Sequence, residues 1–401
     1  MIRALVSLAA AVSLAACATV PPEAEAPPPT LVSYAWATFD RNGITASAAS
    51  GPADRATGRA LTINDPARIA SISKLVLTLG VMRLVEQGQL DLDADVSEKL
   101  GWRLRNPAFP DAPITLRLLL SHRSSLTDAA DYAVPFGETV AQRIANPKAF
   151  DPAHAPGTYF RYSNLNFPVV ASVMEGATGE RFDALMQRLV LRPLKLDACY
   201  NWSGCSDAAI DRAAVLYAPT GEEVLRDDLR GALPTCLVNT LPGAGCDLST
   251  YRLASNGALF SPQGGLRISI ADLAEIGRLL LREGRAADGS RFLTQASIAA
   301  MTTPEWRHDG SNGETEKGFY CAYGLAVQRL AACPPNDDPI GGAPEAFGHA
   351  GDAYGLKSGL WVDPATGKGI AYLATGIAED AHGKRSAYWA IEEWLAAKLR
   401  R

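Results

Sequence analysis

No block of lysine or arginine interrupts this 401-residue chain, in which 38 Lys+Arg are scattered against 43 Asp+Glu for a net charge of −5. Without a basic patch the polyanionic backbone of a nucleic acid finds no partner, and none is expected. There is no Walker motif, no Gly-x-Gly-x-x-Gly and no His-Glu-x-x-His, so the common phosphate-cradling and zinc-hydrolase signatures are missing. There is also no Gly-x-Ser-x-Gly, which excludes the nucleophile elbow of the α/β-hydrolases. Neither Cys-x-x-Cys nor His-x-x-x-His occurs, so no metal and no cofactor is expected. Charged residues at 20% and hydrophobic residues at 47% exclude a disordered, collagen-like or coiled-coil chain. At ~150 residues per domain the length suggests two lobes of one large fold.

Arg3 is followed by an uncharged stretch from Ala4 to Ala16, too short for the ~20 residues a membrane span needs. It has the form of a signal segment ending in Leu14-Ala15-Ala16-Cys17, which resembles the lipobox of bacterial lipoproteins. Residues 1–16 are expected to be removed, Cys17 to be acylated, and the Pro-rich residues 17–30 to form a tether. The expected location is the bacterial envelope, facing the periplasm, with the outer membrane preferred because Ala18 follows the cysteine. The lipid anchor would be the chain's contact with the membrane, and no protein partner is implied.

The remaining six cysteines fall into close pairs, which predicts three local disulfides: Cys199–Cys205, Cys236–Cys246 and Cys321–Cys333.

Ser33–Asp40 and Ile44–Ser50 predict strands around an Asn42-Gly43 turn. Apolar side chains at Ile72, Leu75, Val76, Leu79, Met82 and Val85 predict a helix over residues 71–87, stopped by Gly88. Helical stretches follow at 115–121, 167–178, 182–190 and 270–283, among Gly/Pro-rich loops. Near the end, Leu356–Val362 and Gly369–Thr375 alternate as strands around a turn, and Ser386–Leu399 is an amphipathic helix. The expected fold class is an α/β sandwich in residues 31–400. Strands from both termini form one antiparallel sheet flanked by helices (residues 31–90 and 318–400), and residues 91–317 form a mainly helical inserted lobe. A cleft is expected where the lobes meet.

Of nine lysines, Lys74 alone has a Ser or Thr three residues before it, in Ser71-Ile72-Ser73-Lys74. One helical turn puts both side chains on one face. A serine hydroxyl is a poor nucleophile until a base takes its proton, and a desolvated lysine can be that base. By itself, Ser-x-x-Lys is more often a helix cap beside a solvated lysine. Tyr162-Ser163-Asn164 is the one Tyr-x-Asn among twelve tyrosines, and it supplies a proton-relaying hydroxyl and an amide that can orient Lys74. His349-Ala350-Gly351 closes the set. His308-Asp309-Gly310 has the same pattern but lies in polar loop sequence with no strand attached, and is rejected.

In this order the three elements resemble the serine β-lactamase and penicillin-recognising superfamily, in its class C-related branch, which includes D-peptidases and family VIII carboxylesterases. Arg68-Ile69-Ala70, Leu118-Leu119-Leu120-Ser121-His122 and Ser261-Pro262-Gln263-Gly264-Gly265-Leu266 extend the similarity over residues 31–400. The resemblance implies an acyl-enzyme on Ser71, with Lys74 and Tyr162 sharing base and acid duties. Asn164, His349 and Gly351 would contribute to substrate binding, and the N–H groups of Ser71 and Asp352 would form the oxyanion hole. His349 stands where true class C β-lactamases have lysine, and Arg123-Ser124-Ser125 replaces the usual Thr-Ser-Gly. The expected activity is therefore that of an exported serine hydrolase of small-molecule ester, amide or D-amino-acid peptide bonds. Two alternatives stand beside it: a true class C-like β-lactamase, and a non-catalytic lipoprotein that binds cell-wall peptides.

Overall fold

The computed structural model describes residues 27–28, 31–223, 229–379 and 381–400. Residues 1–16 and Cys17 lie outside them, as does all of the tether except residues 27 and 28.

An eight-stranded antiparallel sheet organises the chain. Its order is Ile44–Ser50, Ser33–Asp40, Lys368–Thr375, Leu356–Asp363, Phe347–Ala353, Gln328–Arg329, Ala322–Tyr323 and Trp306–Arg307. Strands from the beginning and the end of the described chain pair second and third in this order, where Ser33–Asp40 runs beside Lys368–Thr375 with Trp36 opposite Tyr372. The longer strands follow the sequence closely because each is bounded by a tight turn. The three two-residue strands at the far edge are too short to show any alternation.

Helices cover both faces, giving the α/β class expected. On one side lie Ile72–Glu86 and Ile270–Leu281; on the other lies the short C-terminal helix Ala390–Ala396. Ile270–Leu281 packs so closely on the sheet that a Cβ at Gly277 would come within 2.1 Å of Phe39 and 3.0 Å of Leu360. The sheet lobe therefore draws this helix and the strand Trp306–Arg307 from the 91–317 segment assigned by sequence to the helical insertion. Strand Trp306–Arg307 also corrects the view that no strand precedes His308. The stretch 182–190 is helical only to Met186 and then widens into a π turn, Gln187–Leu191.

Helix Ile72–Glu86 is buried on nearly every side, including Ser73, Lys74 and Thr78. Gly88, at φ +69°, lets the chain turn out of it. A three-stranded sheet pins its entry: Ala67–Arg68 pairs with Leu266–Ile268, which pairs with Cys199–Tyr200. Ser73 Oγ accepts from the Leu266 N–H at 3.0 Å and donates to the Ala70 carbonyl at 2.6 Å. The loop Ser261–Gly265 is thereby held against the first turn of the helix.

All three local cysteine pairs are disulfide-bonded. Among the described residues Cys321, Cys333 and Asp337 lie close enough to hold a metal ion, but both sulfurs are engaged in the disulfide.

Candidate active site

Ser71 occupies the N-cap of the buried helix, directly after Ala70 at φ +47°, a left-handed conformation that costs a non-glycine residue energy. It opens into a cavity of about 660 Å³ shared with Tyr162, Asn164, Gln263, Gly351 and Asp352. Four of the sequence-derived site residues thus meet Ser71 in one cleft, and Lys74 stands behind them.

The Lys74 side chain is fully buried. Its Nζ lies 2.9 Å from Ser71 Oγ, 2.8 Å from Asn164 Oδ1 and 2.9 Å from the Gln263 carbonyl oxygen. Burial lowers its pKa from 10.5 to about 7, against an opposing pull from the Asp128 carboxylate. A neutral amine has two N–H bonds and one lone pair. Two of the three neighbouring oxygens, Asn164 Oδ1 and Gln263 O, can only accept. They take the two N–H bonds, and the lone pair is left facing the Ser71 hydroxyl.

The Asn164 amide is fixed at its other end, where Nδ2 donates to Asp128 Oδ2 at 2.9 Å. That carboxylate also accepts from Ser163 Oγ and from the N–H groups of Asn164 and Leu165, each within 3.0 Å. Asp128 therefore shapes the whole Tyr162–Leu165 loop. Nothing in the sequence singles it out, because it belongs to no motif and lies more than thirty residues from the loop it holds.

The Tyr162 ring is sandwiched between His122 (centroids 4.2 Å apart) and Tyr320 (4.9 Å). Its hydroxyl is buried and makes no hydrogen bond of normal geometry among the described residues, although the Ser71 and Tyr320 hydroxyls lie near it. Burial raises its pKa far above the ordinary phenol value, offset in part by the hydroxyls of Ser71 and Tyr320. It is therefore a neutral proton donor, held at the cavity wall. His122 Nδ1 accepts from the Ser163 N–H at 3.0 Å and from Asn166 Nδ2 at 3.2 Å, so its proton is on Nε2. Burial holds this ring neutral well below the usual histidine range.

His349 is placed differently from the expectation. Its ring is buried and does not line the cavity. Nδ1 donates to the Ala350 carbonyl at 2.5 Å, and Nε2 accepts from the Tyr323 hydroxyl at 2.7 Å. Burial, with the Lys74 charge nearby, lowers its pKa to about 3. A neutral ring with both nitrogens engaged cannot anchor a substrate carboxylate, so the strand's backbone and not this side chain faces the cleft.

Gly351 permits that approach: a Cβ there would meet Ser358 Oγ at 2.3 Å and the Ile69 carbonyl at 2.4 Å. The Leu330 N–H donates to the Ala346 carbonyl at 2.9 Å, so even-numbered positions of this strand direct their backbone groups towards the Gln328–Arg329 side. The latter strand pairs only as far as Gly348, leaving the Asp352 N–H on an open edge of the cleft. The Ser71 N–H, at a helix start, likewise has no intrahelical acceptor.

A cavity-facing serine backed by a buried lysine, a neutral hydroxyl donor and two N–H groups without an acceptor among the described residues are the parts of a serine acyl-transfer site. The chain belongs to the Beta-lactamase family, whose model matches residues 24–392. It is 31% identical over 360 residues to Esterase EstB of Burkholderia gladioli, covering 84% of this chain and 83% of the relative. It is 27% identical over 334 residues to Penicillin-binding protein 4 of Amycolatopsis lactamdurans, covering 82% and 77%. Among solved structures, D-amino acid amidase from Ochrobactrum anthropi shares the fold with a TM-score of 0.65 at 20% identity, over 92% of this chain and 93% of that one. The protein is a serine hydrolase of this family.

Proposed function

We propose that this chain is an exported, lipid-anchored hydrolase that cleaves ester, amide or D-amino-acid peptide bonds through an acyl-enzyme on Ser71. The observation that carries the reading is the place of Lys74 Nζ, 2.9 Å from Ser71 Oγ and between two acceptor-only oxygens, so that the neutral amine aims its lone pair at the serine. Ser71 Oγ attacks the carbonyl carbon while its proton passes to Lys74 Nζ. The carbonyl oxygen, now anionic, is held by the N–H groups of Ser71 and Asp352. The intermediate collapses as the Tyr162 hydroxyl gives its proton to the leaving oxygen or nitrogen and is reprotonated from Lys74. Water then attacks the acyl-enzyme, its proton follows the reverse path, and Ser71 is regenerated.

Esterase EstB, the penicillin-binding protein and the D-amino acid amidase supply the substrate classes that support this reading. Neutral His349 in place of a permanent cation favours esters and D-amino-acid amides over β-lactams. The signal-like residues 1–16 and Cys17 support export and acylation.

The test is side-by-side kinetics on a short-chain aryl ester, a chromogenic cephalosporin and a D-Ala-D-Ala peptide, with Ser71→Ala as control. The ester is expected to turn over, the cephalosporin to react slowly or only to acylate, and Ser71→Ala to lose both turnover and fluorophosphonate labelling. Highest kcat/KM on the cephalosporin would make the protein a β-lactamase; undiminished turnover in Ser71→Ala would reject the mechanism.

A further inference from the structure

Asp352 and Lys357 stand opposite each other on neighbouring strands, and their side chains form an ion pair. The two ends are unequal, with Lys357 5% exposed and Asp352 66% exposed. A buried ammonium needs an anion beside it, because an unpaired charge away from water is strongly destabilising. The Lys357 Nζ also lies 3.8 Å from the centroid of the Trp389 ring. All three residues line the cavity into which Ser71 opens.

Glu392 lines the same wall, but burial raises its pKa to about 8. The same burial that raises it makes Glu392 a poorer counter-charge for Lys357 than an ordinary carboxylate. The counter-charge is supplied by Asp352, from a position that solvent and substrate both reach.

Resting on the Ser71 hydrolase reading, we propose that Lys357 is the anion-recognising residue of the substrate cavity. The Asp352 side chain occupies the place of a substrate carboxylate until one displaces it. The class of substrate this selects is an ester or amide whose acyl part carries a carboxylate a few bonds from the scissile carbonyl. Exchange of one carboxylate for another keeps Lys357 paired throughout, so an anionic substrate binds without exposing a bare buried charge. A neutral substrate leaves the Asp352–Lys357 pair closed and gains nothing from it. The cation comes from the strand beside the third motif and is independent of His349.

The test compares 4-nitrophenyl hemiglutarate with 4-nitrophenyl valerate, which share chain length and differ in the terminal carboxylate. The readout is the ratio of their kcat/KM values in the full chain, so that any effect on the oxyanion site common to both esters cancels. Asp352→Asn is expected to raise the anionic-to-neutral ratio about tenfold, the scale of a hydrogen bond to a charged group. Lys357→Gln should lower it about tenfold and abolish the gain when combined with Asp352→Asn. Added NaCl should lower the ratio in Asp352→Asn, where no protein carboxylate competes for Lys357, by screening. A ratio that stays within twofold in Asp352→Asn and across the salt series overturns the proposal, even if Lys357→Gln fails to fold. Loss of turnover on both esters in the wild type would count instead against the Ser71 reading.

Discussion

The Tyr323 hydroxyl donates to His349 Nε2 at 2.7 Å, deep beneath the strand that carries Gly351 and Asp352. With Nδ1 donating to Ala350 O, the ring ties the strand's backbone to the aromatic group around Tyr162.

Neutral buried histidines make the fold acid-sensitive in a defined window. The folded-state pKa of His349, about 3, lies below its unfolded value of ~6.5, and that of His122 is also depressed. Below pH 6.5 the unfolded chain binds more protons than the folded one, so stability is lost as pH falls from about 6.5 towards 3. Each such histidine is expected to contribute a slope of up to about 1.4 kcal/mol per pH unit in that window. Urea midpoints at pH 7, 5.5 and 4.5 measure it, and His349→Gln should flatten the dependence.

The base on Ser71 sets the pH profile of acylation. Because the Lys74 pKa is lowered to about 7, kcat/KM on a neutral aryl ester should rise through that pH and level off above it. Asp128 stabilises the charged form of Lys74, so Asp128→Asn should move the rising limb to lower pH. An unchanged limb would reduce Asp128 to a purely structural residue.

Tyr162→Phe keeps the sandwich between His122 and Tyr320 and removes the proton donor alone. A fall of about 10²–10⁴ in the acylation rate is expected, with little change in melting temperature. A loss below threefold would show that Tyr162 is a spacer.

Gly351→Ala places a methyl group into the Ile69 carbonyl and Ser358 Oγ. The strand must retreat from Ser71, at a cost of about 1–3 kcal/mol in stability and with a larger proportional loss of kcat, since the Asp352 N–H moves with it. Denaturant melts and ester kinetics on the same preparation separate the two effects.

Ser71, Lys74 and the Tyr162–Asn164 loop were legible in the sequence because a helical turn and a short motif each fix which side chains can meet. Gln263 acts through its carbonyl oxygen, which every residue possesses, so its type gives no signal. Asp128 is reached only by folding. The role of His349 could not be read because strand alternation says that neighbours face opposite ways without saying which way the cleft lies. The long strands were clear from their turns, whereas Trp306–Arg307, Ala322–Tyr323 and Gln328–Arg329 depend on the rest of the sheet for their existence.

The pairing of Ser33 with Thr375 inside the sheet has a consequence for how the chain folds. The Ser33–Asp40 strand finds one neighbour, Ile44–Ser50, close by in sequence, while its other edge stays open. Its second partner, Lys368–Thr375, lies more than three hundred residues further along the chain, so the sheet closes only once that strand is available. Until then the open edge of that hairpin is available to any strand that can pair with it. Deleting Lys368–Thr375 should therefore be as damaging to the sheet as deleting Ser33–Asp40.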